Sequence, residues 1–139
     1  MPTPRLEFIR PEELHPHEAV DEDRKRNILA MMRRTGIFHP PLLVDSETRV
    51  ILDGHHRLSA AKELGCVRVP CYCVDYLNDD SIVLETWRSD LAPTKAQVIE
   101  MGLSGKVFPR KTTRHIYVIP DSIAPTPLAR LTDHHPDPI

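Results

Sequence analysis

The stretch Ile51–Gly65, ILDGHHRLSAAKELG, decides how the chain is read. Two apolar residues lead into Asp53–Gly54. Two histidines and an arginine follow, and an amphipathic run then closes on Gly65. Leu58, Ala61 and Leu64 recur at i, i+3 and i+6, so the segment reads as a strand turning into a helix at Gly54. Such a junction suits phosphate. A helix start presents unpaired backbone N–H groups and the positive end of its dipole. Gly54, with no Cβ, lets a ligand approach the backbone, and Arg57 carries a planar fork of donors for phosphate oxygens. Asp53 sits where it could hold Mg²⁺, which takes carboxylate, water and phosphate oxygens. The same residues also read as a plain helix start, with Asp53 as cap and Arg57 solvated, and alone they leave both readings open. Zinc is a weaker third reading, because adjacent histidines on a helix point about 100° apart.

Composition narrows the classes. The chain has 139 residues, the size of one domain. Aromatic residues make up only 5%, so the core must be built mainly from Ile, Leu, Val, Met and Ala. The net charge is −2, which gives no global basic field for non-specific DNA binding, although a local basic pocket stays open. Its 14 prolines, against an average near 5%, imply many fixed turns. No apolar run approaches the roughly 20 residues that span a bilayer, and MPTPRLEFIR lacks a signal-peptide core. A cytoplasmic location is therefore expected. Cys66, Cys71 and Cys73 are too few for a disulfide framework or a closed zinc site and read as reduced, buried thiols.

Along the chain, LEFIRPEEL reads as a strand ended by Pro11, and HPHEAV as a loop. Residues 21–34 read as a helix with acids in its first turn and arginines in its last, an apolar side of Ile28, Met31 and Met32, and a stop at Gly36. PLLVD and RVILD read as strands around SET. VRVPCYCVDY reads as a strand of period two, with Pro70 marking an edge or a bulge. SIVLETW and RHIYVIP read as strands. PTKAQVIEMGLSGK reads as a helix with a Thr94/Gln97 capping box. GLSGK, Gly102–Lys106, fails as a phosphate loop because only two residues separate its glycines and Val107 follows the lysine. It reads as a helix stop. Residues from Asp121 are proline-rich and polar, and read as an extended or disordered tail. The order gives an α/β (α+β) domain over residues 1–120, followed by a tail over 121–139.

Taken together, these residues resemble the nucleotide-binding signature of the ParB N-terminal/sulfiredoxin-like superfamily, in which a Gly-x-x-Arg turn at a helix start wraps phosphates. Sulfiredoxins carry a reactive cysteine just after that glycine, where His55 stands here. Chromosome-partitioning members carry an acid and an arginine there, with a helix-turn-helix domain downstream. The Asp-Gly-His-His-Arg form resembles the free-serine kinases instead. LHPHE, PLLVD, VPCYCVDY, TWR and TKAQVIEMGLSGKVFPRKTTRH extend the likeness in the same order over residues 6–120, and KTTRH is its most specific piece.

The resemblance implies a compact mixed-sheet domain with helices packed on the sheet, and a small-molecule kinase acting on the hydroxyl of free L-serine. It makes Glu18 the candidate general base, with Asp53 sharing or replacing that role, since a hydroxyl attacking phosphorus must lose its proton. ATP or ADP would place its phosphates on Gly54, His55, His56 and Arg57, with Thr112 contributing and Mg²⁺ held near Asp53. Lys111, Thr113, Arg114 and His115 would hold the serine carboxylate and the moving phosphoryl group, with Trp87 near the amino-acid pocket. Read without the resemblance, Glu18 is a surface carboxylate, Trp87 a core residue and RKTTRH a solvated basic turn. His15, His17 and Glu18 spell a weak metal cluster. The expected partners are L-serine and an adenine nucleotide, with neither nucleic acid nor membrane, and a homodimer is left open. Two other classes remain as alternatives: a ParB-like nucleotide-binding switch without kinase activity, and a nuclease acting on DNA.

Overall fold

The computed structural model describes residues 3–132. In chain order its elements are β1 (Arg5–Ile9), α1 (Glu22–Thr35), β2 (Ile37–Phe38), β3 (Leu42–Asp45), β4 (Ile51–Asp53), α2 (His55–Glu63), β5 (Val69–Val74), β6 (Val83–Thr86), α3 (Lys95–Ser104), β7 (Thr113–Ile116), β8 (Thr126–Pro127) and α4 (Leu128–Leu131). The central sheet runs β1-β5-β3-β4. It is mixed, because β5 pairs antiparallel with β1 and parallel with β3, while β3 and β4 form an antiparallel pair. Two short ribbons, β2-β8 and β6-β7, flank it.

Strand alternation divides the core in two. Leu42, Val44, Ile51, Cys71 and Cys73 point to one face, where they meet Leu29 and Met32 of α1 and Leu58, Ala60 and Ala61 of α2. Leu43, Val50, Leu52 and Val74 point to the other, against Val98 and Ile99 of α3 and Tyr76, Ile82 and Phe108. Helices on both faces explain why β5 reads as a continuous apolar run. Burial of the three free thiols raises each of them, Cys66 to about 11 and Cys73 to about 12. Among the described residues, no helix is long and apolar enough to cross a membrane.

Local rules place the helices. Asp21 caps α1 by accepting from the N–H groups of Asp23 and Arg24, and Gly36 ends it with φ +71°. Thr94 and Gln97 form the full capping box of α3, and Gly105 stops it. Three expectations change. Met31 is 44% exposed and Leu29 takes its place inside, since Leu29 and Met32 share a face three residues apart. Pro70 lies in an interior strand rather than at an edge. The β3 ladder begins only at Cys71, so β3 asks no donor of Pro70. The segment from Asp121 is not an extended tail as far as 132. Thr126 and Pro127 pair with Phe38 and Ile37, Leu131 is buried in the α1/α2 core, and its carbonyl accepts from Val67. Residues 133–139 lie outside the described residues.

Helix α3 approaches the sheet closely at Gly102, where an added Cβ would stand 2.6 Å from Val50 Cγ1. Gly102→Val should therefore overpack this layer and destabilise the fold by about 1–3 kcal/mol, read as a lower urea midpoint with an unchanged slope.

Candidate active site

One cavity of about 550 Å³ opens where the C-terminal end of β4 meets the start of α2. Helix α2 begins at Gly54, whose φ of +103° suits glycine and whose missing side chain leaves the first turn without a side-chain cap. An added Cβ there would sit 2.4 Å from Leu42 Cδ2 and 2.8 Å from Arg57 Nη2. The guanidinium of Arg57 thus lies over the glycine. Its Nη2 reaches the Pro41 carbonyl at 3.5 Å, and among the described residues its buried Nε has no hydrogen-bond partner. An open helix start beside an incompletely satisfied guanidinium offers donors of the kind an anion takes.

The histidines of GHHR do not act as metal ligands would. His55 Nε2 accepts the backbone N–H of His17 at 3.1 Å, and His56 Nε2 accepts that of Asp21 at 3.0 Å. The pair therefore clamps the segment 17–21 onto the start of α2. Further bonds secure it: the N–H of Ala19 donates to Phe108, the N–H of Phe108 to His17, and the N–H of Ile51 to His15. No group of three His, Cys, Asp or Glu side chains is placed to hold a metal ion among the described residues.

Glu18 stands in this clamped segment and faces the cavity. Its Oε1 accepts from the N–H of Thr113 at 2.7 Å and from the Thr113 hydroxyl at 2.8 Å, while its Oε2 accepts from the N–H of Lys111 at 3.1 Å. Lys111 has φ +61°, a left-handed conformation costly to a residue with a Cβ and often found at functional turns. Burial raises the Glu18 carboxyl above the ordinary range, against the lowering pull of these donors. Asp53 lines the same cavity, with Oδ2 accepting from Tyr117 Oη at 2.6 Å. His17 is fully buried, with Nδ1 2.7 Å from the Ile51 carbonyl and Nε2 2.9 Å from Thr113 Oγ1. His115 pairs with Tyr76 Oη at 2.8 Å. Burial lowers both imidazoles to about 4 and holds His55 well below its usual value.

The structure brings Glu18, Asp53, Gly54, His55, His56, Arg57, Trp87, Lys111, Thr113, Arg114 and His115 to this one cavity. Trp87 is 61% exposed rather than a core residue, and Arg114 stacks over its ring at 4.8 Å. Thr112 differs from expectation. It is fully buried, its hydroxyl donates to the Pro109 carbonyl, and it does not line the cavity. Sequence reading missed Arg24 and Tyr117. The alternation Thr113–His115–Tyr117 was the available signal for the tyrosine, since period two puts all three on one strand face.

This geometry defines a mixed α/β domain in which a carboxylate shares one cavity with an uncapped helix start and an arginine. No protein-family model matches the chain. It is 34% identical to a ParB-like protein of Sulfolobus acidocaldarius over 89 residues, 64% of this chain and 44% of that protein. It is also 34% identical to an ATP-dependent L-serine kinase of Staphylothermus marinus over 84 residues, 58% of this chain and 33% of that one. The chain thus spans less than half the length of these relatives. A solved free serine kinase in complex with AMP superposes with a TM-score of 0.79 at 19% identity, covering 91% of this chain and 93% of that one. The fold is that of the free serine kinases, and both comparisons meet the resemblance read from the sequence.

Unfolding exposes the three buried neutral imidazoles, which then charge in acid. Below about pH 6.5 the unfolded chain binds more protons than the folded one, so stability falls as pH drops toward about 4. Urea midpoints should decline from pH 7 to pH 5; a flat profile would contradict burial of the cluster.

Proposed function

We propose that the chain transfers a phosphoryl group from ATP or ADP to the hydroxyl of free L-serine, giving O-phospho-L-serine. The observation that carries this reading is a half-buried glutamate, Glu18, facing the same cavity as an uncapped helix start. Kinase chemistry needs both: a cradle for phosphates and a carboxylate to take the hydroxyl proton as the new O–P bond forms. The likeness to named L-serine kinases supports the choice of acceptor. The cytoplasm, where adenine nucleotides and free amino acids meet, is the compartment such a reaction requires.

In this reading the nucleotide phosphates lie on the first-turn N–H groups of His55, His56 and Arg57 and on the Arg57 guanidinium. Arg110, Lys111 and Arg114 face the same space and supply charge for the serine carboxylate and the moving phosphoryl group. Arg24 adds a further cation from α1. Trp87, stacked under Arg114, forms the apolar wall on the amino-acid side. Glu18 receives the serine proton while the bond from phosphorus to the nucleotide oxygen breaks. Asp53 fits Mg²⁺, because Tyr117 engages only its Oδ2 and the ion favours one or two carboxylates with phosphate oxygens. The ion would neutralise charge building on the phosphates.

Incubation with Mg²⁺, L-serine and either ATP or ADP should yield phosphoserine by phosphorus NMR. Glu18→Gln should lower turnover by about 100-fold or more while leaving nucleotide affinity intact, whereas Arg57→Ala should weaken nucleotide binding by about 10-fold or more. Unmodified serine and threonine with both donors would end the kinase reading, and turnover requiring DNA would favour the ParB-like one.

A further inference from the structure

The hydrogen bonds behind Glu18 do not balance in its ionised state. Ile51 O, His17 Nδ1, His17 Nε2, Thr113 Oγ1 and Glu18 Oε1 form a single chain, with contacts of 2.7, 2.9 and 2.8 Å across its three gaps. Each gap needs one proton. The Ile51 carbonyl only accepts, so the ring proton of a neutral His17 sits on Nδ1 and Nε2 is an acceptor. The Thr113 hydroxyl then faces two acceptors, Nε2 and the carboxylate, with one proton to give. A proton on Glu18 completes the chain: Oε1–H donates to Thr113 Oγ1, and the threonine hydroxyl turns to His17 Nε2.

We propose that His17 is a positioning residue that strengthens Glu18 as a base by offering Thr113 a second acceptor. This rests on the kinase reading for its place in catalysis. Before transfer, Thr113 steadies the carboxylate. As the serine O–H bond breaks and a Glu18 O–H bond forms, Thr113 redirects its own proton to His17, and no proton leaves the three groups. Without His17, the threonine hydroxyl would donate to Glu18 in every state, favour the carboxylate and make it a weaker base.

Burial supports the scheme, since an imidazole held to about 4 stays neutral at working pH. The charges and titratable groups around the chain come from several elements. His55 of α2 stands 4.6 Å from the His17 ring and His115 of β7 6.0 Å, while Asp53 of β4 favours a charged His17. Lys111, Arg110 and Arg114 share the cavity with Glu18. His17 is also anchored by its backbone N–H to His55, a bond that side-chain substitution leaves in place.

The test follows the Glu18 carboxyl by carbon NMR in protein labelled at glutamate Cδ, assigned by its loss in Glu18→Gln. In His17→Phe, which keeps a ring but offers no acceptor, the Glu18 titration should move down by about half to one pH unit. In His17→Gln, whose amide oxygen can accept from Thr113, it should move back toward the wild-type value. In Thr113→Val, adding His17→Phe should cause no further shift. With serine and nucleotide, the acid limb of kcat/KM should move by the same amount in His17→Phe, with kcat lower by about three- to ten-fold. A Glu18 titration unchanged in a folded His17→Phe overturns the proposal, as does an equal shift in both threonine backgrounds. Absence of phosphoserine from the wild-type protein instead overturns the kinase reading, and the NMR titration still decides the hydrogen-bond switch.

Discussion

The site depends on one constraint: a segment with no regular structure of its own must hold a carboxylate still. Glu18 lies between β1 and α1, where nothing in a sheet ladder or a helix fixes its side chain. Two imidazole nitrogens from α2 accept the backbone N–H groups at 17 and 21, and the turn at 111–113 returns N–H donors to the carboxylate itself. The partners are 35 to 95 residues apart in sequence. Position therefore comes from long-range bonds, and the loop is tied to its surroundings both through histidine side chains and through backbone bonds such as that from the N–H of Ile51 in β4 to the His15 carbonyl.

This arrangement changes what the paired histidines mean. At the start of a helix they suggest metal, yet each uses its Nε2 as an acceptor for a main-chain N–H. A protonated or metal-bound Nε2 could not do so. The clamp thus requires neutral imidazole, and the local environment supplies it by burial at His55 and, less completely, at His56. The glycine before them has a matching part. A side chain at 54 would strike Leu42 and displace Arg57, so the residue that opens the backbone to an anion is also the one that lets the guanidinium lie across it.

Much of the fold was legible because its signals are local. Asp21 and Gly36 bracket α1, Thr94 and Gln97 cap α3, and short apolar runs mark β3, β4 and β5. What was not legible is set by partners distant in sequence. Pro70 suggested an edge because a proline lacks a donor, but the shortness of β3 decides whether a donor is wanted. The segment after Asp121 looked unfolded by composition, yet it holds Leu131, which fills the space between α1 and α2. In the site, Glu18, Gly54, Arg57 and the KTTRH turn were legible through motif and resemblance. Thr112 was misplaced because alternation along the turn, which sends Thr113 to the cavity and Thr112 inward, depends on the left-handed Lys111 that no propensity foretells. His17 was visible only as a neighbour of Glu18, and its role needs the three-dimensional path from Ile51 to Thr113.

Charge placement completes the physical account. The chain as a whole carries −2, yet Arg24, Arg57, Arg110, Lys111 and Arg114 converge on one cavity that, among the described residues, Glu18, Asp21 and Asp53 line as acids. One of those acids is already engaged, since Asp21 pairs with Arg110 at 3.4 Å and caps α1. The buried histidines add no charge, because burial keeps them neutral. The field that remains is positive where phosphates would lie and falls off within about 10 Å at ordinary ionic strength. A small anion fits wholly inside that positive region. The Glu18 carboxyl beside it is raised by burial against the lowering pull of its hydrogen-bond donors, so a carboxylate that holds its proton more tightly than usual shares one cavity with the converging cations.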